Sequence, residues 1–469
     1  MDSKALKQNR MGTQPIGRLL ISMSVPMMLS MLVQALYNVV DSIFVARISE
    51  AQFELTAVST AFPIQNLMIA FGTGIGVGFT TLISKSLGEG NPKRAARAAA
   101  QGIMLELLNC VIFALIGIFA VRPFMESQTS NTQIIDFGVE YLSICCILSF
   151  GIFLQITFEK LLQATGKTLH SMAAQAVGAI INIVLDPILI FGLMGAPAMG
   201  IKGAAIATVT GQICSAITAI LLHFAVNREI HISLSDFRIH KKLMGKILIV
   251  GLPSVIMMAI GSAMTYCMNR ILFAIPKVGE TAATVFGVYF KLQSFLIMPV
   301  IGLNNGMVPI IAFNYGAMNK ERIMKTIRLA VFIGVCIMLA GLLVFQIMPE
   351  ALLSMFGAEN DMMDMGISAL RVISLSFVFA GFCIVISSVF QALGNGMFSM
   401  IVSFVRQIIV LVPVAYLFGR FGSEVWQVWL AFPIAECASV ALCIGMFIFL
   451  YKKHIKPLEM LKAKMNNEE

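Results

Sequence analysis

Residues 228 positions apart in this chain match at the places where membrane helices need special side chains. Gln65 returns as Gln293, Gly74 as Gly302, Gly78 as Gly306, Gly88 as Gly316 and Asn91 as Asn319. The same shift carries Gln163-Ala164-Thr165-Gly166 onto Gln391-Ala392-Leu393-Gly394, and Ser171 onto Ser399. One offset held almost without gaps makes the chain two copies of one unit. Duplicated bundles of this kind place a binding site between halves that move against each other, which points to transport before any motif is named.

What is duplicated is a membrane bundle. Hydrophobic residues form 58% of the 469 and charged residues 12%, with a mean hydropathy of +0.88, values foreign to a water-soluble domain of this length. Runs of about 20 apolar residues or more, enough to cross a bilayer, fall at 16–46, 54–84, 97–121, 134–162, 170–193, 202–226, 245–274, 281–313, 323–348, 364–392, 398–419 and 426–451. None alternates with period two as a barrel strand would, so the expectation is an all-α polytopic protein with twelve transmembrane helices in two pseudo-symmetric six-helix lobes. The first lobe is expected over 1–226 and the second, with its tail, over 245–469. A polar cytoplasmic connection over 227–244, running along the membrane surface, joins them. The first run is too long for a cleaved leader and is expected to stay as helix one.

Loop charge sets the orientation. Lys4, Lys7, Arg10 and Arg18 precede helix one, and Lys85, Lys93, Arg94 and Arg97 surround the second connection. Arg228, Arg238, Lys241, Lys242 and Lys246 populate the sixth, and Lys320, Arg322, Lys325 and Arg328 the eighth. All share one side if the helices alternate, whereas the ninth connection carries Glu350, Glu359, Asp361 and Asp364. The positive-inside rule therefore puts both termini in the cytoplasm of a plasma-membrane protein. The net charge of +9 is then a topology signal, and nucleic acid is not an expected partner. Nine cysteines, single apart from Cys145-Cys146, and five unclustered histidines suggest neither a disulfide framework nor a structural metal.

A charge inside the membrane costs several kcal/mol unless it is partnered, so each one is a functional candidate. Asp41 lies toward the outer end of helix one and Asp186 within helix five. Their counterparts at the repeat offset, Asn269 and Val414, carry no charge, an asymmetry that a purely structural role does not explain. Asn182 is four residues before Asp186 and shares its helical face. Pro187 removes a backbone donor and frees the carbonyl of Ile183. With the hydroxyl of Thr208 on helix six, these oxygens suit a hard cation such as Na+, a proton, or either. Pro26, on the helix that carries Asp41, is the candidate bend.

Other features are packing first. Gly72, Gly74, Gly76 and Gly78 line helix two, and Gly74 and Gly78 form a small-xxx-small face for close helix approach. The methionines, Met257 and Met264 among them, are packing residues or a plastic substrate wall. Candidate lining of a substrate cavity comprises Gln34, Tyr37, Asn38, Gln65, Met257, Met264 and Gln293. In the second copy Arg406 and Glu436 are expected to form a structural ion pair across helices eleven and twelve. Glu106 and Glu159 have no partner legible in the sequence.

The stretch from Pro26 to Asn91, with Tyr37-Asn38-Val39-Val40-Asp41 and Leu87-Gly88-Glu89-Gly90-Asn91, resembles the multidrug and toxic compound extrusion (MATE) family of antiporters, in its bacterial multidrug branch. So do Asn182-Ile183-Val184-Leu185-Asp186-Pro187, Gly203-Ala204-Ala205-Ile206-Ala207-Thr208, and Met298-Pro299-Val300-Ile301-Gly302 through Asn314-Tyr315-Gly316-Ala317. The resemblance covers essentially the whole chain. It implies two six-helix lobes around a central cavity and alternating access. It also implies export of bulky organic cations and drugs against Na+ or H+, with coupling residues falling on Asp41, Asn182, Asp186 and Thr208. The chain departs from some members in lacking carboxylates at Ile260–Ala263 and Phe379–Phe382, which assigns coupling to the first lobe.

The expected activity is therefore secondary antiport by a monomer in contact with membrane lipids. It needs no cofactor or nucleotide, only the coupling ion. The alternative is a lipid-linked oligosaccharide flippase of the same superfamily fold, which would line its cavity with several Arg. An enzyme is not expected, because there is no HExxH, P-loop or Ser/His constellation. A channel would require rings of like charge that are missing.

Overall fold

The computed structural model describes residues 9–48, 53–276, 278–358, 360–422 and 424–460. Among them there is no strand. Ten helices are long and apolar enough to cross a membrane: α1 Ile16–Ala46, α2 Phe53–Gly88, α3 Pro92–Phe119, α5 Thr168–Phe191, α6 Ile201–Val226, α7 Lys241–Phe273, α8 Gly279–Gly316, α9 Lys320–Ile347, α11 Gly396–Phe421 and α12 Trp426–Met460. Two further spans are bent pairs: α4, Thr132–Ile147 with Phe150–Ala164 at 46°, and α10, Asn360–Ser374 with Phe377–Ala392 at 49°. Both bends fall at the same place in the repeat, so twelve spans result, six per copy.

The connections repeat as well as the helices. Gly166 and Gly394 close α4 and α10 at φ 80° and 81°, each in a turn where the next residue's N–H reaches back to the carbonyl five residues earlier at 2.8 Å. The α2 and α8 ends use the same turn, with Gly90 at φ 69° and, unexpectedly, Met318 at φ 52°. The next helix in each copy is capped by an asparagine side chain, Asn91 accepting from the Arg94 N–H at 2.9 Å and Asn319 from the Arg322 N–H at 3.1 Å.

The chain forms two compact units that part inside helices. One contains Leu29–Val255; the other contains the stretch ending at Met28 together with the chain from Ile256 on. The 227–244 connection thus lies wholly within the first unit, and each unit includes the front half of the other copy's first helix. Glycine is the reason. In the first unit a Cβ on Gly74 would stand 3.0 Å from the Gly251 carbonyl, and one on Gly78 would meet the Ile247 carbonyl, so α2 lies backbone to backbone on the front of α7. In the second unit a Cβ on Gly302 would stand 2.5 Å from Met28 Cα and one on Gly306 2.7 Å from Ser24 Cα, so α8 grips the front of α1 in the same way. The Ser24 hydroxyl then donates to the Leu303 carbonyl at 3.2 Å. Both α1 and α2 are unbroken helices, through Pro26 and through the glycine run respectively.

The turn geometry gives a paired test. Gly394→Ala meets no atom within 4 Å, so its cost is the φ penalty alone, about 1–2 kcal/mol. Met318→Gly relieves that penalty and is expected to stabilise by up to about 1 kcal/mol. Thermal unfolding in detergent should show opposite shifts of the midpoint for the two variants.

Candidate functional site

The polar residues of the first unit converge on α1, α5 and α6. Helices α5 and α6 lie unusually close, because Gly178 and Gly211 face each other: a Cβ on Gly178 would be 2.8 Å from the Gly211 carbonyl, and one on Gly211 2.7 Å from the Gly178 carbonyl. One turn further along α5, this approach brings Asn182 to Thr208. The Asn182 amide donates to Asp186 Oδ1 at 3.3 Å and to Thr208 Oγ1 at 3.5 Å. Asp186 is fully buried and Asn182 nearly so. Asp41, from α1, comes within hydrogen-bonding range of Asp186. The helix continues through Pro187 to Phe191.

Three oxygens of this cluster are buried without a partner: Asp41 Oδ1, Asn182 Oδ1 and Asp186 Oδ2. No ion pair among the described residues involves either aspartate. Two carboxylates facing each other away from water repel and are poorly solvated, so the arrangement asks for a cation or a proton between them. An all-oxygen set of carboxylates, amide and hydroxyl suits a hard monovalent cation. Among the described residues no cluster of three or more His, Cys, Asp or Glu could hold a resident metal.

Around this centre lies a wider network. Tyr37 lies one helical turn before Asp41 on α1, within electrostatic range of Asp41, Glu159 and Asp186. Glu159, unpartnered in the sequence reading, accepts from Gln155 at 3.0 Å and Ser215 at 3.3 Å. Gln65 donates to the Tyr141 hydroxyl at 3.1 Å, and Gln34 accepts from Gln175 at 3.1 Å while Gln175 also receives the Ser30 hydroxyl. Tyr141, Gln155, Gln175 and Ser215 were missed by the sequence reading; only the four-residue spacing of Gln155 and Glu159 offered a signal. Glu106 is likewise bonded, to Asn109 at 3.0 Å. The side chain of Asn38 lies outside the described residues.

The remaining candidates belong to the second unit. Pro26 is on its stretch of α1, Met257 and Gln293 are half-buried, and Met264 is packed in the core. Arg406 Nη1 donates to Glu436 Oε1 at 2.9 Å. Arg406 lies in a π-helical stretch, Val405–Leu411, which ends just before Pro413 deprives α11 of an N–H donor.

A family profile described as MatE matches residues 26–188 and 253–417, most of both copies. The chain belongs to the MatE family. It is similar to a probable multidrug resistance protein, YoeA, of Bacillus subtilis, 26% identical over 92% of this chain and 93% of that one. It is also similar to the multidrug export protein MepA of Staphylococcus haemolyticus, 25% identical over 92% of this chain and 93% of that one. A solved MOP superfamily transporter from Pyrococcus furiosus superposes with a TM-score of 0.86 at 25% identity, covering 97% of this chain and 98% of its own. The MatE matches begin at Pro26 and Pro253, the two prolines that each precede a unit boundary by two residues.

The close α5–α6 approach in this MatE chain is testable on its own. A Cβ on Gly178 would lie 2.7 Å from Ser215 Cβ, so Gly178→Ala should push the helices apart. The expected result is a loss of about 1–3 kcal/mol in stability. Separation of Asn182 from Thr208 should lower transport more than an equally destabilising change elsewhere, as judged by melting and by dye efflux on the same preparations.

Proposed function

We propose that this protein is a multi-pass plasma-membrane transporter that exports organic compounds, mostly amphipathic cations, in exchange for Na+ or H+. The observation that carries this reading is the buried oxygen cluster of Asp41, Asn182, Asp186 and Thr208, with two carboxylates and no paired base. The names of the Bacillus and Staphylococcus relatives, which speak of multidrug resistance and export, support the substrate class. Charge in the loops supports cytoplasmic termini. Two lobes in one chain are enough for a monomer to work.

In this mechanism the coupling ion and the substrate compete for one negative centre. With the cluster empty, the aspartates attract a cationic drug, and Tyr37, one helical turn before Asp41, offers an aromatic face. Na+ or a proton arriving at Asp41 and Asp186 neutralises them, which removes the attraction and releases the drug. The Asn182 amide holds Asp186 and Thr208 in register so that the ion meets several oxygens at once. Glu159, backed by Gln155 and Ser215, adds a further buried carboxylate to the same unit. In the second unit Arg406 is already matched by Glu436, which argues against an anion-selecting cavity there.

The test is efflux of a fluorescent organic cation from proteoliposomes under an imposed Na+ gradient and, separately, an imposed pH gradient. One gradient should drive efflux in the wild type. Asp41→Asn and Asp186→Asn should each cut it on the order of a hundredfold, since each removes an ion ligand whose site is worth several kcal/mol. Efflux indifferent to both gradients would sink ion coupling and favour a flippase.

A further inference from the structure

The first unit holds, away from the aspartate cluster, a cleft of about 600 Å³ whose walls are strongly basic. Lys93, Arg94 and Arg97 come from the start of α3, and His240, Lys241 and Lys242 from the end of the connecting segment and the start of α7. Two long helices therefore begin at its rim, and their N-terminal N–H groups add partial positive charge to that of the side chains.

The walls are fixed. Gln101 on α3, with no exposed surface, donates to the carbonyls of Asp236 at 3.2 Å and Arg238 at 3.0 Å and accepts from the His240 N–H at 3.0 Å. Asp236 also closes a capping box with Ser233, and Arg97 approaches it at 3.8 Å. Arg94 pairs with Glu89 at 2.5 Å. Arg94 and Arg97 are thus matched, while Lys93, Lys241 and Lys242 are exposed and enter no ion pair among the described residues.

The repeat supplies a control inside the same molecule. The counterpart of Arg94 is Arg322, which gives its guanidinium to the carbonyls of Met11 at 2.9 Å and Gln14 at 2.8 Å and to Asn314 Oδ1 at 3.0 Å. The counterpart of Lys93 is Glu321, which pairs with Lys325, the counterpart of Arg97, at 2.6 Å. One copy is sealed by peptide carbonyls and neutralised from within. In the other, Gln101 takes the carbonyls of the connecting segment, a bond that its counterpart Leu329 cannot make, and the cleft stays open and positive. A topology signal accounts for the sign of these charges but not for the wall that Gln101 builds by bonding the connecting segment.

We propose that this cleft binds a phosphate group, carried either by a membrane lipid headgroup or by a free phosphate. A phosphate offers several acceptor oxygens to converging Lys side chains and helix N–H groups and neutralises more than one cation.

The test uses the purified full chain. Retention of phosphatidylglycerol against phosphatidylcholine is read by native mass spectrometry, and binding of labelled inorganic phosphate by equilibrium dialysis. The variant Lys93→Gln/Lys241→Gln/Lys242→Gln changes only exposed side chains, and an unchanged melting temperature checks its fold. Loss of phosphatidylglycerol retention by roughly fivefold per lysine removed identifies the headgroup as the source. Loss of inorganic phosphate binding identifies the free anion. Lys325→Gln, at the sealed counterpart, should change neither. If wild type and triple variant behave alike toward both probes, or neither probe binds the wild type, the proposal is overturned.

Discussion

Close backbone contact at glycine is what the rest of this structure depends on. In a lipid environment apolar surfaces gain little by leaving the solvent, so helices hold together through tight van der Waals contact and the few polar bonds that such contact permits. Gly178 against Gly211 brings α5 and α6 near enough for Asn182 to reach Thr208. Gly74 and Gly78 against the front of α7, and Gly302 and Gly306 against the front of α1, decide which helix segments belong to which unit. The coupling candidates and the two-unit architecture thus rest on the same device.

The two copies have used one framework for opposite electrostatic ends. Gly178 of the first copy corresponds to Arg406 of the second, and Thr208 to Glu436. The second copy therefore carries a cation and an anion that satisfy each other at 2.9 Å, and α11 accommodates the long side chain within a π-helical stretch. At the corresponding helices of the first copy stand Asp41 and Asp186, neither in an ion pair among the described residues, with one oxygen of each buried and unbonded. Gln155 and Ser215, which support Glu159, correspond to Cys383 and Cys443, so the polar surround also diverges. A similar split separates the basic cleft from its counterpart, where Arg322 is consumed by carbonyls while Lys93, Lys241 and Lys242 of the cleft enter no ion pair among the described residues.

Much of the fold was legible because its signals are local or periodic. Apolar runs marked all twelve spans, and the constant offset marked their pairing. The bends inside α4 and α10 were hidden, since each apolar run reads straight through its break. Met318 in a left-handed turn was hidden as well, because the residue type argues against the conformation that its counterpart Gly90 adopts freely. The connecting segment read as a solvated surface loop, and much of it is exposed, but Gln101 also fastens it to α3 with three bonds. Nothing about a lone glutamine in an apolar helix announces such a clamp.

By itself the sequence determined that the chain is helical, crosses a membrane about twelve times, is built twice, and carries unshared carboxylates at Asp41 and Asp186. Those conclusions follow from the cost of exposing backbone or charge to lipid, which each residue bears wherever its neighbours lie. Only the tertiary structure decided that Asp41 meets Asp186, that Tyr141 pairs with Gln65 and Gln175 with Gln34, and that the units part within α1 and α7. Contacts of that kind depend on how each helix is rotated and how closely it approaches the next. That is a property of whole packed faces, which no single position in the chain encodes.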